Sequence, residues 1–159
     1  MSIQINKTQH RRWPVSVKSL VCQDDGSVVE VENRFIGHFR PFNEEEVVAI
    51  RNQIFGEGTD EELEKLKEAR TTAEQAALEA EFYARLMCGW EAVLDEDGEP
   101  VPYSDAACRG LAAGPDGARV RRGLSAAVLE LRFGIAPAKN VETSPAPGPA
   151  ASAGEVATN

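Results

Sequence analysis

Residues 13–42 read WPVSVKSLVCQDDGSVVEVENRFIGHFRPF, and this stretch decides the fold class. Two β-rich runs flank Asp24-Asp25-Gly26, a turn sequence in which glycine supplies positive φ at no steric cost. Alternation places one subset of each run on a single face: Val15, Val17 and Ser19 in the first, and Phe35, Gly37 and Phe39 in the second. The stretch therefore predicts a β-hairpin, which Pro41 ends because proline cannot donate to a strand ladder.

Helical signals follow the hairpin. Asn43-x-x-Glu46 fits a capping box and predicts a helix that ends at Gly56. A second capping box, Thr59-x-x-Glu62, opens a longer helical stretch to about Gly89, with a weak point at residues 70–72 where it can break in two. The predicted buried stripe of this stretch consists of Leu63, Leu66, Ala73, Ala77, Ala80, Ala84 and Met87.

Two more helices are predicted after the turn-rich connection GWEAVLDEDGEPVPYS. Ser104 can cap a short helix that ends near Ala113, before the Gly114-Pro115 break. A final helix spans roughly residues 118–133 and stops at Gly134. Its apolar residues recur at helical spacing: Val120, Leu124, Val128 and Leu131.

The chain of 159 residues is long enough for one compact domain. We predict a flexible N-terminus (1–12), a single domain (13–140) and a disordered Pro/Ala-rich tail (141–159), whose composition cannot bury enough apolar surface to offset its ordering entropy. The predicted fold class is α+β, with an N-terminal hairpin followed by about four helices.

Composition favours a soluble globular protein, with 42% hydrophobic and 27% charged residues. Aromatic residues make up only 6%, so aliphatic residues must fill most of the core. The short apolar runs predict no membrane segment and no signal peptide, and hence a cytoplasmic location. The net charge of −9 argues against a general affinity for nucleic acid.

Charge is unevenly distributed along the chain. Residues 1–18 carry four basic side chains and no acidic ones, whereas residues 43–68 carry nine acidic and three basic side chains. A later basic face is predicted from Arg119, Arg121, Arg122 and Arg132. Two interpretations stay open: solvated helix faces, or a polarised surface that steers a partner of opposite charge.

Residue patterns predict no catalytic, metal or cofactor site. His10 and His38 belong to no ligand or general-base pattern, and the glycine of residues 95–99 is misplaced for a calcium loop. The three cysteines, Cys22, Cys88 and Cys108, are widely spaced and odd in number, which predicts reduced thiols. Phosphate-binding loops and nucleophile elbows are absent from the sequence. We therefore predict a protein that is not an enzyme.

The segment from residue 82 to residue 140 contains four short motifs in a fixed order: Gly89-Trp90, Asp95-Glu96-Asp97-Gly98, Val101-Pro102-Tyr103-Ser104 and, after a helix, Lys139-Asn140. This order resembles the tail assembly chaperones of long-tailed bacteriophages, which often carry "GW…v.DedG.pvpfs", a helix and a closing "KN". The hairpin and the helix that opens at Asn43 resemble the family's "f.a.Fk.ls.eel" opening. The resemblance covers about residues 13–140; the Gly114-Pro115-Asp116-Gly117 break and the Ala106-Ala107 face depart from it.

The resemblance implies a chaperone that binds the tape measure protein and keeps it soluble until tail tube subunits polymerise around it. It also implies a host cytoplasmic protein that is absent from the mature virion, and in many such phages a frameshift-extended form that recruits the tail tube protein. A homo-oligomer stays open, as do two other classes: a structural virion protein such as a head–tail connector or tail terminator, and a host adaptor or antitoxin-like regulator. The hypothetical partner-binding residues are aromatic: Phe35, Phe39, Phe82, Tyr83, Trp90 and Tyr103.

Overall fold

A computed structural model of the chain describes residues 10–134. The described strands are β1 (Arg11–Cys22), β2 (Val28–Phe39) and β3 (Met87–Glu91). The described helices are α1 (Glu44–Phe55), α2 (Asp60–Glu68), α3 (Thr72–Leu86), α4 (Asp105–Ala113) and α5 (Gly117–Phe133). This order confirms the predicted α+β class. The predicted tail and most of the predicted flexible N-terminus lie outside the described residues.

The hairpin forms as predicted and is long. β1 and β2 pair antiparallel from Arg11↔Phe39 to Cys22↔Val28. At the turn, Gly26 has a φ of 86°, and the Asp25 carboxylate accepts a hydrogen bond from the Ser27 backbone N–H at 2.9 Å. The strand begins at Arg11, before the predicted boundary at Trp13, because residues 11 and 12 continue the ladder with β2.

The third strand corrects the predicted helix end near Gly89. α3 ends at Leu86, and β3 pairs antiparallel with β2 from Ile36↔Glu91 to Phe39↔Met87. The sheet order is β1-β2-β3, so β1 and β3 are the edge strands. Short apolar runs fit helical and strand periods alike, and here the open edge of β2 supplies the backbone hydrogen bonds that favour a strand.

The predicted weak point is the boundary between α2 and α3. Thr71 caps α3 through a capping box with Glu74, and the boxes at Asn43 and Thr59 are present as predicted. The Arg70 guanidinium donates to the backbone carbonyl of Phe55 at 3.0 Å and so ties this break to the end of α1. Two successive capped helices therefore replace one long one.

The core lies between one face of the hairpin and helices α3, α4 and α5. Val120, Leu124 and Val128 of α5 are buried as predicted, and Gly134 ends the helix in the left-handed conformation. The stripe predicted for residues 63–87 is only partly correct. Ala80, Ala84 and Met87 are buried, whereas Leu66 is 45% exposed and Ala73 and Ala77 are exposed. The break prevents α2 from sharing the buried face of α3, which accounts for the exposure of Leu66. Ala73 and Ala77 belong to the first two turns of α3 itself.

Candidate functional site

Four of the six predicted partner-binding aromatics are core residues: Phe35, Phe39, Phe82 and Tyr83. The rings of Phe82 and Tyr83 meet edge to face with centroids 5.3 Å apart, and Phe55 packs on Phe82 at 6.1 Å. Such burial leaves almost no side-chain surface for a partner, so we correct the prediction for these four residues. In a chain that is poor in aromatics, these large side chains fill core volume.

Trp90 and Tyr103 are partly buried and hold the connection after β3 against the sheet. Their rings are edge to face at 5.0 Å, and the Trp90 Nε1–H donates to the carbonyl of Val101 at 2.7 Å. Burial, and to a smaller extent the neighbouring Cys108, raises the pKa of Tyr103. These contacts give both residues a structural role, and they join Phe35, which meets Trp90 at 6.4 Å, in one aromatic cluster.

The far end of the hairpin carries exposed apolar side chains on both faces. Leu20 is 63% exposed and Val28 is 60% exposed. Leu20 pairs with Glu30, and Val28 pairs with Cys22. Since these two pairs are two residues apart along the strands, Leu20 and Val28 lie on the same face of the hairpin. Val21 and Val31 are exposed on the other face. Four of the nine exposed large hydrophobics among the described residues lie here. Clustered exposed apolar residues mark interaction sites.

A groove of about 470 Å³ runs between α5 and the hairpin face that carries Leu20. The hairpin contributes Pro14, Ser16, Lys18 and Leu20 to it, and α5 contributes Arg119, Arg122, Gly123 and Ala126. Gly123 lets α5 approach β1 closely, since a Cβ atom at this position would lie 2.3 Å from the Ser16 carbonyl oxygen. The small residues of α5 thus leave open space above the strand.

The hairpin face forms the floor of the groove, and the charged side chains of this floor form ion pairs within the hairpin. Lys18 Nζ lies 3.8 Å from a carboxylate oxygen of Glu30. Arg34 Nη2 lies 2.5 Å from a carboxylate oxygen of Glu32. The rim of the groove on the side of α5 carries Arg119 and Arg122, and neither of them pairs with the hairpin. Arg119 contacts Asp116, the residue before α5, at 3.2 Å, and Arg122 is exposed with no ion pair to another described residue. On the α5 side of the groove, Arg122 is therefore the arginine without an ion pair to a described carboxylate, on a chain of net charge −9.

The structure divides the basic face that the sequence predicted. Arg121 binds Glu79 at 2.6 Å, and the Arg132 Nε–H donates to Glu44 at 2.9 Å, so these two arginines hold helices together. Arg119 and Arg122 remain on the groove rim. Their spacing of three residues, which places side chains on one side of a helix, was the only sequence signal for this rim.

An ion cluster lies on the same face of the sheet as the groove floor, starting two residues before Pro14, but outside the groove lining. Glu91 accepts hydrogen bonds from Arg12 at 2.7 and 2.8 Å and lies 2.5 Å from His38 Nε2. These partners, Arg12 before His38, lower the pKa of Glu91 to about 2. Across residues 10–134, no group of three or more His, Cys, Asp or Glu residues is arranged to hold a metal ion.

The three thiols are free. Burial raises the pKa of Cys108 to about 11 and also raises that of Cys88, whereas Cys22 is exposed at the hairpin end. Since the thiolate is the nucleophile, a raised pKa opposes reactivity at Cys88 and Cys108.

Fold and surface define the class of this protein: a small α+β domain with an exposed apolar hairpin end beside a groove that is lined by both basic and acidic residues. No family model, curated protein or solved structure matches the chain. Within the described part of the chain, no helix is both long enough and apolar enough to cross a bilayer.

Proposed function

We propose that this protein is a phage tail assembly chaperone that binds the tape measure protein and keeps it soluble while the tail tube polymerises around it. The observation that carries the proposal is the hairpin end, where Leu20, Val21, Val28 and Val31 are exposed on two faces of a two-stranded ribbon. The order of motifs from Gly89-Trp90 to Ser104, which resembles that of the family, supports the same function.

A chaperone for a protein with exposed apolar stripes needs apolar surface of its own, in an amount that still permits release. Complete burial of one exposed leucine or valine side chain contributes about 1.5–3 kcal/mol. A contact through Leu20 and Val28 therefore supports reversible binding, because part of this gain is offset by the entropy lost on association. The net charge of −9 favours solubility of the chaperone itself.

The proposal includes the host bacterial cytoplasm as the place of action, and absence from the mature virion. It also includes the tail tube protein as a second partner, recruited through a frameshift-extended form.

Co-expression with the tape measure protein of the same phage tests the proposal. We expect the wild-type chain to keep the tape measure protein soluble and to co-purify with it. The double variant Leu20→Ser/Val28→Ser should lose both effects. The matched control Val48→Ser/Leu94→Ser removes two exposed apolar side chains from other parts of the surface and should behave like the wild type.

A tape measure protein that stays insoluble with the wild-type chain would refute the chaperone function. Mass spectrometry of purified virions would then test the alternative. A stoichiometric amount of this protein in the particle would favour a head–tail connector or a tail terminator.

A further inference from the structure

The groove and one face of the hairpin end form a continuous surface. Leu20 lines the groove. Val28 lies beside Leu20 on the same face of the hairpin, nearer the turn. On the opposite wall, Gly123 and Ala126 have little or no side chain. A partner can therefore contact the hairpin end and the groove at once.

Charge indicates the chemistry of that partner. The floor charges of Lys18 and Arg34 are matched by Glu30 and Glu32, and Arg119 on the rim contacts Asp116, whereas Arg122 forms no ion pair with another described residue. Glu130 is the acidic residue of α5 that lines the groove, and it accepts a hydrogen bond from the Trp13 Nε1–H at 3.1 Å. A carboxylate on the incoming segment would complement Arg122, and a second one can compete with Asp116 for Arg119, because an exposed ion pair is weak.

Backbone geometry indicates a helix rather than a strand. α5 covers the edge of β1 at Ser16, because Gly123 lies directly against the carbonyl oxygen of that residue. A segment in the groove cannot add to β1 there and must satisfy its own backbone hydrogen bonds. A helix does so, and it presents its apolar residues as one stripe.

We propose that the groove, continued by Leu20 and Val28, binds an amphipathic helix of the tape measure protein whose apolar stripe is flanked by carboxylates. The stripe lies over Ala126 and Leu20, and the carboxylates pair with Arg119 and Arg122. This assignment rests on the proposed function, because it takes the tape measure protein as the source of the helix.

Two groove variants test the site without altering Leu20 or Val28. Arg122→Glu reverses a rim charge, and Ala126→Glu places a carboxylate in the groove. Lys65→Glu, on the exposed surface of α2, is the control for the first variant, and Leu129→Glu, exposed on α5 outside the groove, is the control for the second. Circular dichroism and thermal melting establish that all four variants fold.

We expect each groove variant to lower the affinity for the co-expressed tape measure protein about tenfold, and each control to retain it. A photo-crosslinking residue at position 126 should attach to an acidic amphipathic helix of the tape measure protein. Exchange of the carboxylates on that helix for lysines should restore binding to the Arg122→Glu variant.

Full binding by both groove variants, with wild-type binding intact, would overturn the groove assignment and leave the chaperone function standing. Absence of wild-type binding would overturn both. A crosslink from position 126 to a second copy of this chain would also overturn the assignment, since the groove would then be a self-association surface.

Discussion

Gly123 lies so close to Ser16 that any side chain at position 123 would collide with the backbone of β1. The distance from a Cβ atom built on Gly123 to the Ser16 carbonyl oxygen would be 2.3 Å. The relationship joins two residues that are far apart in sequence, and it fixes α5 against the edge of the sheet. Both the packing of Val15 beneath α5 and the open groove above it depend on this contact.

Replacing Gly123 with alanine should therefore destabilise the protein by about 1–3 kcal/mol, the usual cost of overpacking. Gly110 provides the matched control. It lies within α4, where a Cβ atom would meet nothing within 4 Å, so alanine should stabilise the protein by about 0.5–1 kcal/mol. Urea denaturation measures both free energies of unfolding. An equal effect of the two substitutions would contradict the close packing of α5 on β1.

Thr71→Ala and Thr59→Ala should have different effects on stability, although each removes one capping box. Loss of an N-cap costs about 1 kcal/mol. α3 contributes five buried residues to the core, so Thr71→Ala should lower the global free energy of unfolding by about that amount. α2 has no buried residue, so Thr59→Ala should mainly fray α2, which amide hydrogen exchange would detect. A similar global loss for both variants would show that α2 is part of the cooperative core.

Stability should fall in acid through Glu91. Its pKa is lowered in the folded protein from 4.5 to about 2, chiefly by the hydrogen bond from Arg12 and then by that from His38. Its contribution is therefore present above pH 4.5 and is lost as the pH falls towards 2. In Glu91→Gln, the melting temperature should fall less steeply between pH 5 and 2, and added salt should narrow this difference because the site is exposed.

Glu96→Gln is the control for this pH dependence, since Glu96 is exposed and forms no ion pair with another described residue. Its acid profile should match that of the wild type. Identical profiles for Glu91→Gln and the wild type would mean that the cluster of Arg12, His38 and Glu91 does not form in solution.

The three cysteines should differ in their rates of alkylation. At pH 8, iodoacetamide should modify the exposed Cys22 first and Cys88 more slowly, and it should spare Cys108 while the protein is folded. Burial raises the pKa of Cys108 to about 11, so very little thiolate is present. Mass spectrometry measures the order. In denaturant all three should react, and early modification of Cys108 in the native protein would show that the core opens near Tyr103.

The sequence alone determined the elements that depend on neighbours a few residues apart. The turn at Gly26, the capping boxes at Asn43 and Thr59, and the C-terminal stop at Gly134 each involve groups within one or two turns of chain. The break at residues 70–72 belongs to the same group. Such local interactions can be recognised in a short window, because both partners lie within it.

Only the tertiary structure decided β3, the burial of the aromatics and the groove. β3 forms because an edge of β2, about 50 residues earlier, offers hydrogen bonds to residues 87–91. Arg121 and Arg132 are committed to Glu79 and Glu44, which leaves Arg119 and Arg122 on the rim. The sequence listed these arginines together, and their separation depends on which distant helices meet. Burial and pairing over such distances are set by the packing of whole elements, which no local pattern encodes.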